Sequence, residues 1–317
     1  MENLPLYLLG ELDWITTQTI YHAMAHFGRE GIVLCWPRTP YVSLGCHQSF
    51  SDYDETSGLP VIRRKVGGSL VYLDARQIFF QVIANPERCP NCRTPDSWYH
   101  YALDPVVDYL KQLGLPASLH PPADILIGGQ KVSGNAGGLL DEQVVIVGNL
   151  LLDFSVDVMA RVRSAPHPVW RKAFADSMAK HLTTLKEWLP TREWSTDRVM
   201  NDLAEVFSER LCAVATLFPW ESWRDKLERT GRELTQPHWL MAPARNRRNR
   251  VESVKVREGV YLRTLIDPVL PPVVAEVDVM NHSLLRVWGL PEHGESLFEI
   301  QDILDQLLPE SHSAVRS

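Results

Sequence analysis

The order of apolar and polar positions in the N-terminal part of the chain predicts one helix followed by several short strands. Apolar residues recur at helical spacing over residues 11–27, and Gly28 and Gly31 then provide a stop. The runs that follow are rich in β-branched and aromatic residues and are bounded by Gly, Pro, Asn or Asp, which is typical of strands. These predicted strands cover residues 32–36, 41–44, 61–64, 70–73 and 78–83.

The middle of the chain continues this alternation of helix and strand. A helix is predicted over residues 97–113, with Asp104 and Pro105 as a cap and first-turn pair. Strands at 124–127 and 131–133 are joined by a turn at Gly128 and Gly129, because paired glycines mark tight turns. Residues 143–147 and 150–154 are predicted to be a further pair of strands.

The region beyond residue 153 is predicted to be mostly helical and to end in a small separate unit. The predicted helices cover residues 156–162, 169–180, 195–212 and 220–232. A Pro- and Arg-rich stretch at 243–250 marks a boundary, and strands at 253–256, 273–279 and 284–287 and a helix at 296–308 are predicted beyond it. The predicted fold class is therefore α/β (α+β), with a large domain over residues 1–242 and a small α+β accessory domain over residues 243–317.

Composition excludes several classes of protein. Of the 317 residues, 45% are apolar and 22% are charged, which are ordinary values for a globular domain rather than a disordered or fibrous chain. No apolar run reaches the roughly 18–20 residues that a membrane-spanning helix needs. The net charge of -7 argues against a general nucleic-acid binder. Five cysteines without an export signal favour reduced thiols and a cytoplasmic protein.

The first segment that suggests chemistry joins three cations to a glycine pair. Arg63, Arg64 and Lys65 leave a predicted strand and are followed by Gly67 and Gly68. Glycines allow the backbone to approach a ligand closely, and an arginine fork suits phosphate or carboxylate oxygens. Taken alone, the segment is equally typical of a tight hairpin with a solvated basic flank.

The second such segment is a lysine followed by small polar residues. Lys131 opens a short predicted strand, and Ser133, Gly134, Asn135 and Ala136 follow it. A lysine among small residues is a mobile charge that reaches a phosphoryl or carboxyl oxygen. Taken alone, this segment is also typical of a surface hairpin with a solvated lysine.

In sequence order, the two segments resemble the lipoate–protein ligase A family of the biotin/lipoate ligase and octanoyltransferase superfamily. The resemblance extends over about residues 10–190 and more loosely over the C-terminal unit. Its first motif is Val42-Ser43-Leu44-Gly45 followed by Gln48, and its second is Arg63-Arg64 followed by Gly67-Gly68, Val71-Tyr72 and Asp74. The third motif is Asp124 followed by Lys131-x-Ser133-Gly134-Asn135-Ala136. The fourth is His181-Leu182-Thr183-Thr184-Leu185.

The resemblance implies a biotin/lipoate ligase-like catalytic domain, with mixed sheets flanked by helices, followed by a small C-terminal accessory domain. It also implies an enzyme that uses ATP, with Mg²⁺, to activate lipoate or octanoate as acyl-AMP. The acyl group is then transferred to a lysine of an acceptor lipoyl domain. The partners implied are therefore that acceptor protein and the small-molecule acid, with no nucleic acid and no membrane.

The family motifs also imply roles for individual residues. Lys131 is implied to be catalytic and to contact both the nucleotide and the acyl group. Separately, the eleven histidines show no H-E-x-x-H or paired helix spacing, so no protein-bound metal is predicted. The residues implied to bind ATP or the adenylate are Arg64, Gly67, Gly68, Ser69, Leu70, Val71, Tyr72 and Asp124, together with Lys131. The residues implied to bind lipoate are Val71, Ser133, Gly134, Asn135 and Ala136, together with Lys131.

Several positions depart from the family pattern. Ser69 stands where a third glycine is usual, and Leu70 follows where a smaller residue is usual. Ala123 precedes Asp124 in place of Asn, and Val147 stands in place of the histidine of a His-Gly-Thr step. Two alternatives therefore stay open, an octanoyltransferase of the same superfamily and a non-catalytic relative that binds lipoyl groups or acceptor domains.

The sequence has two further notable features, a closely spaced cysteine pair and a basic cluster. Cys89 and Cys92 have the spacing of a zinc or dithiol motif, but a zinc site needs two more ligands and no matching pair follows, so a plain loop is predicted. The dense basic cluster Arg245, Arg247, Arg248 and Arg250 is predicted to be a solvated linker, with contact to an acidic acceptor domain as the alternative.

Overall fold

The computed structural model describes residues 3–243, 251–266, 272–290 and 303–308. The helices are α1 (Trp14–His26), α2 (Pro95–Gln112), α3 (Val156–Val162), α4 (Pro168–His181), α5 (Leu185–Trp188), α6 (Thr196–Leu211), α7 (Trp220–Thr235) and α8 (Pro237–Leu240). The strands are β1 (Leu4–Leu12), β2 (Gly31–Pro37), β3 (Tyr41–Leu44), β4 (Val61–Arg63), β5 (Val71–Leu73), β6 (Gln77–Ala84), β7 (Ala117–His120), β8 (Asp124–Ile127), β9 (Gln130–Leu140), β10 (Gln143–Leu151), β11 (Ala213–Ala215), β12 (Val251–Arg257), β13 (Val260–Leu265), β14 (Val274–Asp278) and β15 (Ser283–Trp288).

A large mixed sheet with the strand order β11-β1-β2-β6-β10-β9-β8-β7 forms the centre of the molecule. Strand β1 pairs in parallel with both of its neighbours, whereas the other pairs are antiparallel. All residues of β6 are buried, because side chains that alternate along the strand pack against a different helix layer on each face. Phe80 and Val82 pack with α2 and α6, and Phe79 and Ile83 pack with α1 and α7.

Two smaller sheets complete the fold. Strands β4-β3-β5 form one, and β12-β13-β14-β15 form the C-terminal one. The predicted α/β class with a C-terminal unit is therefore confirmed. The boundary at residue 243 stays a prediction, and the basic cluster Arg245, Arg247, Arg248 and Arg250 lies outside the described residues, as does most of the helix predicted at 296–308.

Helix α4 connects the C-terminal sheet to the rest of the molecule. Trp170 and Phe174 pack in one cluster with Val254 and Trp288. At the end of α4, Nε2 of His181 lies 3.0 Å from Oε1 of the fully buried Glu276 on β14, and Lys180 pairs with the same oxygen. Burial alone would raise the pKa of Glu276, but these hydrogen bonds outweigh it and lower the pKa to about 2. The carboxylate is therefore charged, and it binds the sheet to α4.

Three predictions of local structure were wrong. Residues 11 and 12 end β1 instead of opening α1, because they pair with β2. Helix α2 begins at Pro95 after a capping box formed by Thr94 and Ser97, so Asp104 and Pro105 lie inside the helix. The two strands predicted at 143–147 and 150–154 are a single strand, β10 (Gln143–Leu151), and the strand predicted at 131–133 continues to Leu140, so β9 and β10 form a long hairpin.

The CPNC segment also differs from the prediction of a plain loop with free thiols. Cys89 and Cys92 are joined by a disulfide, which corrects the prediction of reduced cysteines at these positions. Cys35, Cys46 and Cys212 are free. Among the described residues, no group of three His, Cys, Asp or Glu side chains is placed to hold a metal ion. No helix in the same part of the chain is long and apolar enough to cross a membrane.

Candidate active site

The site is centred on an ion pair between Lys131 and Asp124. The register of β8 against β9 shifts beside Lys131, and the Lys131 carbonyl accepts a 2.9 Å hydrogen bond from the Thr183 N–H. Nζ of Lys131 lies 2.8 Å from Oδ1 of Asp124, whose side chain is only 1% exposed, whereas that of Lys131 is 16% exposed. Burial alone would raise the pKa of Asp124, but the ammonium group outweighs it and lowers this pKa. Lys131 is thus held by a buried carboxylate while part of its side chain stays accessible.

A second lysine reaches the same place from the C-terminal sheet. Nζ of Lys255 on β12 lies 2.9 Å from Oε2 of Glu258, and the backbone N–H of Glu258 donates to Oδ2 of Asp124 at 2.7 Å. Burial lowers the pKa of Lys255, but Glu258 and Asp124 outweigh that effect and raise it. Lys255 therefore carries a full positive charge. Sequence reasoning missed this residue because it lies on an ordinary alternating strand that contains no motif.

Two cavities meet at these lysines. The first lies between α1 and the large sheet, with a volume of about 110 Å³. Its apolar wall is formed by Val71, Leu73, Phe79, Ala136 and Val147. The second cavity lies beneath the C-terminal sheet, with a volume of about 80 Å³ and a wall formed by Leu70, Tyr72, Met159, Phe174 and Met178. The residues shared by both linings are Ser69, Val71, Lys131, Gly134, Asn149 and Lys255.

Arg64 holds the glycine loop in place. Its buried guanidinium group makes four hydrogen bonds, to the carbonyls of Gly67, Ser43 and Ser69 and to the Ser43 hydroxyl. Gly68 has φ +90°, and a Cβ there would lie 2.6 Å from Nη2 of Arg64. Because most of its donors are used by the chain itself, Arg64 positions the loop. The expectation that it also binds nucleotide stays a prediction.

The small residues after Lys131 divide into lining and supporting groups. Gly134, Asn135 and Ala136 line the first cavity, as expected for residues near an acyl group. Ser133 is fully buried and lines neither cavity, because its hydroxyl donates to Oδ1 of Asn135 at 3.1 Å. Asn135 in turn donates to the Ala123 carbonyl at 2.6 Å, which ties β9 to the start of β8.

Of the other residues implied to bind ATP, some line a cavity and some do not. Gly68 lines the first cavity, Leu70 and Tyr72 line the second, and Ser69 and Val71 line both. The structure brings this group together with Lys131. Gly67 and Asp124 line neither cavity, and both oxygens of Asp124 already accept hydrogen bonds.

Val147 and Asn149 lie on β10, at the positions where the family resemblance predicts the His and Thr of a His-Gly-Thr step. Val147 presents an aliphatic surface to the first cavity. Oδ1 of Asn149 accepts from the Gly134 N–H at 3.2 Å, and its Nδ2 donates to Oε1 of Gln77. Asn149 therefore fixes the backbone beside Lys131.

His22 on α1 holds the basic segment at Lys65 by a hydrogen bond to its backbone. Nδ1 lies 2.7 Å from the Gln18 carbonyl, and Nε2 accepts from the Lys65 N–H at 2.9 Å. Burial is the main cause that lowers the pKa of His22 to about 3. The ring is therefore neutral in the folded protein, with the proton on Nδ1.

This burial predicts a pH-dependent stability. Between about pH 6.5 and pH 3 the unfolded chain binds a proton at His22 that the folded chain excludes, so the free energy of unfolding falls as pH falls. We expect this group to contribute about 1.3 kcal/mol per pH unit between pH 5.5 and 4.5. Urea unfolding of the wild-type protein and His22→Gln across this range measures the contribution. If the free energy of unfolding had the same slope against pH in both proteins, the assignment of His22 as neutral in the folded protein would be contradicted.

The fold and the site together define the class of protein. The structure resembles that of the bi-partite lipoate protein ligase from Thermoplasma acidophilum with a TM-score of 0.64 and 22% identity, covering 78% of this chain and 100% of that one. A lipoate-protein ligase A bound with ATP gives a TM-score of 0.59 at 21% identity, covering 76% of this chain and 99% of that one. The chain thus has the lipoate ligase fold. Residues 11–208 match the lipoyl protein ligase A/B catalytic domain, and the chain belongs to this family.

Curated relatives agree with this family. The lipoate-protein ligase LplJ of Bacillus subtilis is 30% identical over 132 residues, which are 39% of this chain and 38% of that protein. The probable lipoate-protein ligase A of Mycoplasma pneumoniae is 24% identical over 214 residues, which are 66% of this chain and 60% of that protein. The matches therefore span between about two fifths and three fifths of these relatives' lengths.

Proposed function

We propose that this protein is an ATP-dependent lipoate–protein ligase that activates lipoate or octanoate as an acyl adenylate and transfers the acyl group to a lysine of an acceptor lipoyl domain. The observation that carries the proposal is the position of Lys131. It lies on the boundary between two cavities, with its charge held by a buried carboxylate. A ligase of this kind must bring a carboxylate and a phosphate together at one place.

The two cavities suit the two substrates. The first has an apolar wall against the large sheet, which suits an acyl chain. The second combines apolar and aromatic residues with the loop that follows the glycine pair, which suits a nucleotide. Similar structures have been solved with ATP and with lipoic acid bound, which supports these two molecules as the substrates.

The first chemical step is the formation of the adenylate. A carboxylate oxygen of the acid attacks the α-phosphorus of ATP, the new P–O bond forms, and the bond to pyrophosphate breaks. Negative charge increases on the α-phosphate oxygens in the transition state. The ammonium group of Lys131 stabilises that charge because its position is already fixed by Asp124.

The second step is the transfer of the acyl group. The neutral amine of an acceptor lysine attacks the acyl carbon, the C–O bond to AMP breaks, and the amine releases a proton to solvent. Charge develops on the acyl oxygen, close to the same ammonium group. One lysine between the cavities therefore serves both steps.

Mg²⁺ is expected to accompany ATP, but the described residues around the two cavities do not offer it a ligand set. The described linings of the two cavities include no carboxylate, and both oxygens of Asp124 are used within the protein.

The transferase alternative requires a nucleophilic thiol at the site. No cysteine is among the described residues that line the two cavities. Among the described residues, an acyl-enzyme thioester therefore has no cavity-lining thiol on which to form.

The proposal is tested by incubating the protein with ATP and lipoate, then with an isolated lipoyl domain. We expect pyrophosphate release, a bound acyl adenylate, and a mass increase on one acceptor lysine. Parallel incubation with an octanoyl carrier protein tests the transferase. A hydroxylamine-sensitive adduct on this chain, formed without ATP, would overturn the proposal in favour of the transferase. Tight binding of lipoate or the lipoyl domain without either reaction would identify a non-catalytic relative.

A further inference from the structure

The C-terminal sheet contributes a charged side chain to the shared boundary of the two cavities. Lys255 lines both of them, together with Lys131, Gly134 and Asn149. The other residues on this boundary come from the large sheet, the glycine loop and strand β5. Lys255 is the member that the family motifs do not predict.

The position of Lys255 follows from the alternation of β12. Val254 and Val256 are buried against α4, whereas Lys255 between them is only partly buried. The packing of the two valines holds this stretch of β12 in place, and all three residues line the second cavity. The lysine is thus presented to the cavities by a strand that pairs with β13.

The charges around the two lysines form a connected set. Asp124 pairs with Lys131 and accepts the N–H of Glu258, while the Glu258 carboxylate pairs with Lys255. Each lysine therefore has one carboxylate partner and two further ammonium N–H donors. These donors suit an anion with several oxygens at the point where the cavities meet.

We propose that Lys255 contacts phosphate oxygens of ATP during the adenylation step, so that the C-terminal sheet completes the nucleotide site. The inference rests on the proposed function. Lys131 lies between the carboxylate and the α-phosphate, and Lys255 approaches the same boundary from the side of the C-terminal sheet. Lys255 therefore acts on the nucleotide more than on the acid.

The test compares Lys255→Met with Lys255→Arg in the full-length protein. For Lys255→Met we expect the KM for ATP in the adenylation assay, and the Kd for ATP by calorimetry, to rise about 10- to 100-fold. The KM for lipoate should change less than about threefold. The Arg variant keeps the charge, and we expect its KM for ATP to stay within about fivefold of wild type.

Two further variants separate contact from structural support. Lys172 is 70% exposed, pairs with Asp176 and lines neither described cavity, so Lys172→Met is the matched control. Glu258→Gln removes the carboxylate partner of Lys255 but keeps the backbone N–H that Asp124 accepts. If Lys255 served only to hold the hairpin, Glu258→Gln would reproduce the loss of ATP affinity. We expect instead that Glu258→Gln leaves ATP affinity unchanged or improves it.

The outcomes distinguish this inference from the proposed function. An active wild-type protein with equal ATP affinity in Lys255→Met, or with equal losses for ATP and lipoate, would overturn the inference and leave the ligase intact. The same holds if Glu258→Gln copies Lys255→Met. If the wild-type protein binds ATP without forming an adenylate, the ligase proposal fails and the calorimetric comparison still decides the role of Lys255. A wild-type protein that binds no ATP overturns both.

Discussion

Lys131→Ala should reduce the rate of acyl-adenylate formation by about 10²- to 10³-fold. The loss follows from removing one preorganised charge from the place where negative charge develops, an effect that typically costs about 3–4 kcal/mol of transition-state stabilisation. Single-turnover pyrophosphate release measures it directly. We expect kcat to fall more than the KM for either substrate rises, because the charge matters most in the transition state.

The same substitution leaves Asp124 buried without its ion-pair partner. Removing one partner of a buried ion pair typically costs about 3–5 kcal/mol of stability. The activity of Lys131→Ala alone therefore does not separate a catalytic defect from partial unfolding. The double variant Lys131→Met with Asp124→Asn removes both charges and keeps similar volumes. We expect it to recover most of the lost unfolding free energy while its adenylation rate stays low. Recovery of near-wild-type turnover in the double variant would show that Lys131 has no direct role.

The regular parts of the fold were predictable because local pattern and tertiary position agree there. Strands β3 and β8 and helix α3 have their predicted bounds, since each is a periodic apolar segment between clear stop residues. Helix α2 lies close to its predicted bounds, but its cap was predicted wrongly at Asp104 and Pro105 because a proline alone is a strong start signal. The capping box at Thr94 and Ser97 decides the true start. Residues 11 and 12 fit a helical period equally well, and only their pairing with β2 makes them a strand.

The residues of the candidate site were predictable only where they belong to a sequence motif. Lys131, Gly68 and the Gly134–Ala136 stretch lie in family segments that occur in sequence order, and the structure places these residues around the two cavities. Ser133 belongs to the same motif, but its side chain supports Asn135 instead of lining a cavity. Lys255 and His22 carry no local signal. Their roles depend on which distant element packs beside them, and that is a property of the tertiary structure.

The second large effect concerns two loops that pack backbone to backbone. Gly45 follows β3, and a Cβ at this position would lie 1.9 Å from the carbonyl oxygen of Gly68. The neighbouring Cys46 N–H donates to the Val66 carbonyl at 3.1 Å, so the two loops are also joined by a hydrogen bond. Because the obstacle is backbone and Arg64 holds the same loop, the clash has no flexible side chain to relieve it.

We therefore expect Gly45→Ala to lower the free energy of unfolding by about 3 kcal/mol, at the upper end of overpacking effects. The displaced Gly67–Ser69 loop should also weaken ATP binding by more than tenfold in whatever fraction remains folded. Gly67→Ala is the matched control for stability, because nothing lies within 4 Å of a Cβ there and the position has no left-handed backbone. Its unfolding free energy should stay within about 0.5 kcal/mol of wild type. Denaturant unfolding of both variants decides the matter, since equal stabilities would mean that the two loops are not in contact in solution.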